Sequence, residues 1–345
     1  MDALLVFLQK WLAQKIQRFG TDRGATSIEE AIDELLADPA KAGCTVKLGD
    51  AEKALLAALK EVNRAKKPFL NLFGRQTRGI AVLGPSGAGK TVIADRLRDA
   101  TSLRVDRAVH WSPRERPRSS IHLERSRTVA RGKILPVLTV PGTQIQSRDG
   151  WERLAQVFLD TPPQVVVITV AGGFLATADR DLEGTFRRPN STVVIDKLED
   201  YLRACRKEEA QHIHEFMDFV KQRRKLALGR ESITDDDVMT TRIRSFVTVV
   251  NKRDLWGIDP KGRLADTYRD PFSEYGRAIS RLRRAFGPGD GSTHDVLPMF
   301  TFGGGFHPYA EARGLMLTEA HAAADTLLLK ALLLHRYGGV AAAGG

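Results

Sequence analysis

The sequence predicts an α/β fold, a mostly parallel sheet with helices on both faces, preceded by an N-terminal helical extension. From Arg78 onward, short β-type runs alternate with amphipathic helical stretches, the rhythm of strands joined by crossover helices. "VVVITV" and "SFVTVV" are apolar at almost every position rather than at every second one, as strands covered on both faces are. Residues 1–78, in contrast, carry helical periodicity alone.

In the extension, Leu4, Leu5, Leu8, Trp11, Leu12, Ile16 and Phe19 recur at helix spacing, with Lys10, Lys15 and Arg18 flanking the stripe. Ser27 with Glu30 has the form of a capping box before "AIDELLAD". "DAEKALLAALKEVNRAKK" is a further amphipathic helix that Pro68 would end. "GIAVLG" then reads as a strand, and a helix should run from Lys90 to about Ala100. "IHLERSRTVARGKILPVLTV" has the pattern of two strands in a hairpin turning near Arg131-Gly132. "SRDGWERLAQVFLD" is helical, "PQVVVITVAGG" a buried strand, and Val194 to Leu228 one long helix. After "SFVTVVNKRD" come the helix "DPFSEYGRAISRLRRAFG", closed by Gly287, and the strand "HDVLPMFTFGGG". A last helix, "TEAHAAADTLLLKALLLHRYGG", should stop before Gly338. The expected organisation is a helical extension at 1–78, one domain at 79–338 with an extended helical segment at 174–240, and a disordered tail at 339–345.

Composition narrows the partners. The 345 residues include 53 Lys+Arg against 42 Asp+Glu, and this net +11 favours anionic ligands or a basic solvated surface. Two distant cysteines, Cys44 and Cys205, argue against a disulfide framework or a zinc site and fit a reducing compartment. No apolar run reaches the roughly 18 residues of a spanning helix. The N-terminus has Asp2 where a secretory signal carries basic residues, so a cytosolic protein is expected.

Gly84-Pro85-Ser86-Gly87-Ala88-Gly89-Lys90-Thr91 matches G-x-x-x-x-G-K-[ST], between an apolar strand and a helix. Glycines let such a loop fold into a ring of N–H donors around an anion, and the helix behind it aims its positive end at the same place. Lys90 would meet the β- and γ-phosphate oxygens, and the Thr91 hydroxyl would ligate Mg²⁺. A second pattern, Asn251-Lys252-x-Asp254, follows the run "SFVTVV". Guanine presents N1–H and its N2 amine side by side, and a carboxylate such as Asp254 accepts both. Adenine has an acceptor at N1 that the same carboxylate would repel.

Together the two motifs resemble those of P-loop GTPases, and over residues 78–338 the order of elements is that of the translation-factor-like class. The resemblance implies a Ras-like G domain that binds GTP or GDP with Mg²⁺ and switches a partner surface on hydrolysis. It implies that Asn251 contacts the base's other edge and steadies the loop, and that the Lys252 stem lies over the ring. In "TVPGTQIQ", Gly142 fits the family's γ-phosphate sensor and Pro141 its usual neighbour, but Thr139 stands where the family has an aspartate. Gln144 lies near where some members orient the attacking water, and equally suits an exposed position. Without the aspartate's charge, Mg²⁺ affinity and turnover should be low. Ser119 and Ser120 are the candidate switch-one ligands of the metal, with Thr128 also in range; Thr301 and Phe302 are the nearest match to the family's last base contact.

Nine Lys/Arg and three acids between Arg104 and Lys133 overlap the expected switch-one segment. They suit a cis arginine finger, an acidic partner or a mobile solvated loop. Trp111 is the single aromatic with them, so nucleic-acid stacking is not supported. His212 and His214 point apart on a helix, which excludes a metal pair and suggests surface positions. The long helix and the N-terminal helices are candidate surfaces for a protein partner, or pack on each other. The N-terminal stripe suits docking on the domain, a partner helix or an anionic membrane surface. The alternatives to a switch are a scaffold that holds GTP without cleaving it and a P-loop ATPase or kinase in which "NKRD" is coincidental.

Overall fold

The computed structural model describes residues 1–19, 24–64, 80–85, 87–98, 122–124, 137–139, 155, 158–160, 162–175, 192–235, 238, 243–253, 263–287, 292–300 and 317–338. Within them the chain is an α/β protein. The strands are β1 (Ile80–Leu83), β2 (His122–Glu124), β3 (Val137–Thr139), β4 (Val165–Val170), β5 (Ser245–Val250) and β6 (Thr293–Pro298). The helices are α1 (Asp2–Phe19), α2 (Gly24–Ala37), α3 (Asp50–Arg64), α4 (Lys90–Arg98), α5 (Thr192–Leu228), α6 (Arg263–Arg269), α7 (Glu274–Phe286) and α8 (Glu319–Gly338).

One sheet has the order β2-β3-β1-β4-β5-β6. Every neighbouring pair is parallel except β2 and β3, which run antiparallel with His122 opposite Thr139, as the expected hairpin requires. Because strand side chains alternate, each strand feeds two cores. Ile80, Val82, Val165, Val167, Val247, Val249 and Leu297 face α1, α2, α3, α4 and α8. Ala81, Leu83, Val166, Ile168, Val170, Phe246 and Val250 face α5, α6, α7 and the helical turn that includes Phe158. Burial on both sides explains why the strands lack an in–out alternation.

The N-terminal stripe is spent inside the chain. Leu4, Leu5, Leu8, Trp11, Leu12 and Ile16 are buried, α1 packs on α8 and α2, and α3 packs on α8 and α2. Each buried leucine contributes about 2 kcal/mol. The apolar face that a membrane or a partner helix would need is therefore covered.

Several expectations are corrected. Helix α2 starts at Gly24, so Ser27 lies inside it rather than at the N-cap. Helix α7 is capped instead by Ser273, whose hydroxyl accepts from the Gly276 amide at 2.9 Å. Gly287 closes α7 in an extended conformation, not a left-handed one, and Gly338 is the last residue of α8. Helix α6 falls in a stretch with no periodicity long enough to announce it. The long helix α5 lies across the sheet from residues 1–64, because its stripe of Leu202, Ala210, Ile213, Phe216, Met217 and Val220 fits the other face. His212 sits on that stripe and is buried, not at the surface; His214 is half-buried. The tail at 339–345 lies outside the described residues. Among the described residues no helix is long and apolar enough to cross a membrane.

Candidate functional site

Strand order decides where a ligand can sit. After β1 the chain turns through α4, against the first core, and its next strands β2 and β3 lie to one side of β1. After β4, on the other side of β1, it passes to α5, against the second core. The chain thus leaves β1 and β4 for opposite faces of the sheet, and the ends of these two strands form the switch point at which such sheets usually hold ligands.

The Gly84–Thr91 loop follows β1 at this switch point, with α4 beginning at Lys90. Gly87 and Gly89 adopt φ of 75° and 91°, in the left-handed region, and a side chain at either would also collide. A Cβ on Gly87 would overlap the Leu175 carbonyl oxygen, and one on Gly89 would overlap the Asn251 amide. Gly84 and Ala88 are buried, and Ala88 packs with Ala171, Phe174, Leu175, Leu202 and Cys205. Lys90 is 6 % exposed, and its ammonium donates to the Pro85 carbonyl at 2.6 Å, across the loop. Burial brings its pKa down to about 7. Lys90 is thus held inside its own loop, its ammonium turned to that loop's Pro85 carbonyl.

The second motif reaches the first. Asn251, 3 % exposed, donates from Nδ2 to the Ala88 carbonyl at 3.0 Å, and its backbone amide donates to Val170 at 2.8 Å. Lys252 has φ of 58°, costly for a residue with a side chain, and its Nζ donates to the Phe174 carbonyl. The loops behind β1, β4 and β5 are therefore locked together by side chains from one short segment.

Two buried acids support these loops, and motif reading passed over both. Glu209 of α5 accepts from the Ala171 amide at 2.8 Å, the Gly173 amide at 3.2 Å and the Tyr268 hydroxyl. Burial pushes its carboxyl up, against the pull of those three donors. Burial also holds His212, three residues on, down to about 3, with the Lys90 ammonium adding to the effect. Asp325 of α8 accepts from the Phe300 amide at 2.8 Å, from Gln9 at 2.9 Å and from Arg253 at 3.3 Å. Burial raises it to about 6. The available signal was helical spacing: Glu209 falls in step with Cys205, Ile213 and Phe216, and Asp325 interrupts the apolar run of α8.

Of the residues singled out from sequence, Gly84, Gly87, Ala88, Gly89, Lys90, Asn251 and Lys252 come together at this switch point. Thr91 is in the first turn of α4, its side chain not among those described. Thr139 ends β3 opposite Val82 of β1. Ser86, Ser119, Ser120, Gly142, Gln144, Asp254, Thr301 and Phe302 lie outside the described residues. Among the described residues no cluster of three or more His, Cys, Asp or Glu side chains is placed to hold a metal ion.

No protein-family model, no curated protein and no solved structure matches this chain.

Proposed function

We propose that the chain is a P-loop GTPase of regulatory type, which binds GTP and Mg²⁺, hydrolyses GTP slowly and acts in the cytosol as a nucleotide-dependent switch toward a protein partner. The observation that carries this reading is the hydrogen bond from Asn251 to the Ala88 carbonyl. It joins a guanine-type N-K-x-D segment to a phosphate-type loop at the switch point of the sheet. The sheet order, with its antiparallel edge strand β2, is compatible with the same reading.

The loop amides and Lys90 would hold the β- and γ-phosphates. An arriving triphosphate favours the charged form of Lys90, so binding takes up a proton above pH 7 and weakens as pH rises further. Asn251 keeps the phosphate loop and the base loop in register, and Asp254 would accept the two guanine hydrogens. Mg²⁺, held through Thr91 and a switch-one residue such as Ser119 or Ser120, would neutralise charge on the phosphates. Gly142 would sense the γ-phosphate and Gln144 would orient the water. Thr139 brings no charge to the metal's water shell, which supports slow turnover, and equally supports a scaffold that binds GTP without cleaving it. The partner would meet the segments around 112–132 and 139–150, or the outer faces of α5 and the N-terminal helices.

A thermal-shift panel of GTP, GDP, ATP and XTP, with and without Mg²⁺, tests the assignment, since a ligand of the native state raises the midpoint. GTP and GDP should stabilise and ATP should not. Asp254→Asn should move the preference toward XTP, and an unchanged GTP shift in that variant would overturn the guanine reading. Phosphate release separates the switch from the scaffold, and stabilisation by ATP equal to that by GTP would favour an ATPase.

A further inference from the structure

The end of β5 and the end of β6 are tied together and then tied to two helices outside the motifs. The Met299 amide donates to Val250 at 2.8 Å and the Arg253 amide donates to Met299 at 3.0 Å, so the two strand ends zip past the sheet. Above them stands Asp325 of α8, 0 % exposed. One carboxylate oxygen takes Gln9 of α1 at 2.9 Å, and the other takes the Phe300 amide at 2.8 Å. The Arg253 guanidinium lies 3.3 and 3.4 Å from the two oxygens. Gln9 donates as well to the Pro298 carbonyl, so α1 holds β6 directly and through Asp325.

A buried carboxylate in this place is poor value for stability alone. Burying the charge costs several kcal/mol, which only its full set of donors offsets. Its neighbours along α8, "AAADTLLLKALLL", are mostly apolar, but the atoms its carboxylate meets are the donors of Gln9, Phe300 and Arg253. What leucine could not do is fix two strand ends against one point. Arg253 immediately precedes Asp254, and Phe300 immediately precedes Thr301 and Phe302. These are the residues through which the chain would read a purine, and recognition of that kind tolerates displacements of only about 0.5 Å.

We propose that Asp325 is a positioning residue for purine selectivity, braced by Gln9, so that the N-terminal extension belongs to the nucleotide site. This rests on the guanine reading above. Phosphate binding would be carried by the loop behind β1, which the brace meets only indirectly through Asn251; discrimination between bases would depend on the brace directly.

The test measures dissociation constants of GTP, ATP and inorganic tripolyphosphate for the full chain, for Asp325→Asn and for Gln9→Leu, with unfolding midpoints recorded alongside. In Asp325→Asn the preference for GTP over ATP should fall about tenfold while tripolyphosphate affinity stays within about twofold. Gln9→Leu should lower the same preference about threefold, and it carries the comparison alone if Asp325→Asn does not fold. A purely structural role would weaken all three ligands in the same proportion, and that result overturns the inference. So does a preference unchanged in both variants. A wild-type chain that binds GTP and ATP equally overturns the guanine reading itself, and the inference with it.

Discussion

On one face of the sheet, α1, α2, α3, α4 and α8 pack with leucine, isoleucine, valine and alanine, Trp11 apart. On the other, α5, α6 and α7 bring aromatic rings and a chain of buried polar groups. Phe158 meets Phe216 and Phe286 edge to face at 4.9 and 5.3 Å, and Tyr268 meets Tyr275 at 4.9 Å. Tyr268 donates to Glu209, while Tyr275 and His294 each lie 2.8 Å from the Thr248 hydroxyl. Aliphatic packing is non-directional and tolerates exchange at constant volume. Hydrogen-bonded buried groups have one workable arrangement and fail abruptly. The polar layer sits beneath the loop behind β4, whose position Glu209 sets. The aliphatic layer has its own such point in Asp325, at the ends of β5 and β6. In both layers buried charge is found where strands give way to loops.

The sharpest contrast between the layers should come from truncating one member of each. Glu209→Ala leaves two backbone amides and a tyrosine hydroxyl without their acceptor and should cost roughly 3–5 kcal/mol by urea unfolding. Leu8→Ala should cost about 3 kcal/mol, within the usual range for a buried leucine. Glu209→Gln should recover most of the first loss, whereas Leu8→Gln should worsen the second. Equal behaviour of the two glutamine variants would break the comparison.

Next in size is the response to acid, in which buried histidines and buried carboxyls act with opposite sign. Burial holds His294 down to about 4, with Arg283 nearby, and His212 down to about 3. The unfolded chain protonates both near 6.5, so between 6.5 and 4 it binds more protons than the native chain, and stability is lost as pH falls. Asp325, raised to about 6, takes its proton first in the native chain. Its contribution therefore grows as pH falls from 6 to 4. Glu209, also raised by burial, acts in the same sense as Asp325, and each group is worth at most about 1.4 kcal/mol per pH unit. His294→Gln should make the dependence between pH 4 and 6.5 shallower by about 1 kcal/mol per unit, and Asp325→Asn should make it steeper. A slope that either variant leaves unmoved removes that group from the account.

The smallest expected effect compares near-isosteric exchanges. Thr248→Val breaks the link between Tyr275 and His294 and should cost about 1–2 kcal/mol, while Leu4→Met on the other face should cost under about 1.5 kcal/mol.

Much of the fold was legible. The apolar runs of β4 and β5, the β2–β3 hairpin and the stripes of α1 and α3 lie in the pattern of residues, because burial on a fixed face repeats at 2.0 or 3.6 residues. The glycines of the 84–91 loop were legible too, since few other residues reach φ of 75° or 91°. Helix α6 was missed, since 7 residues hold too few turns to repeat a pattern. His212 lies four residues from Phe216 and so on the buried stripe, which its opposition to His214 on the helix does not reveal. Glu209 and Asp325 were passed over because charge is rarely buried and nothing local names the amides they will meet.

The sequence by itself determined the local conformations: which segments pleat, which coil, and where glycine must bend the chain. Tertiary structure alone decided the order β2-β3-β1-β4-β5-β6, and with it which face each helix covers. It also decided the meetings of Asn251 with Ala88, 163 residues apart, and of Arg253 with Asp325, 72 apart. Local propensity acts over a turn or a strand, whereas these contacts exist only after crossovers bring distant strand ends to one edge of the sheet.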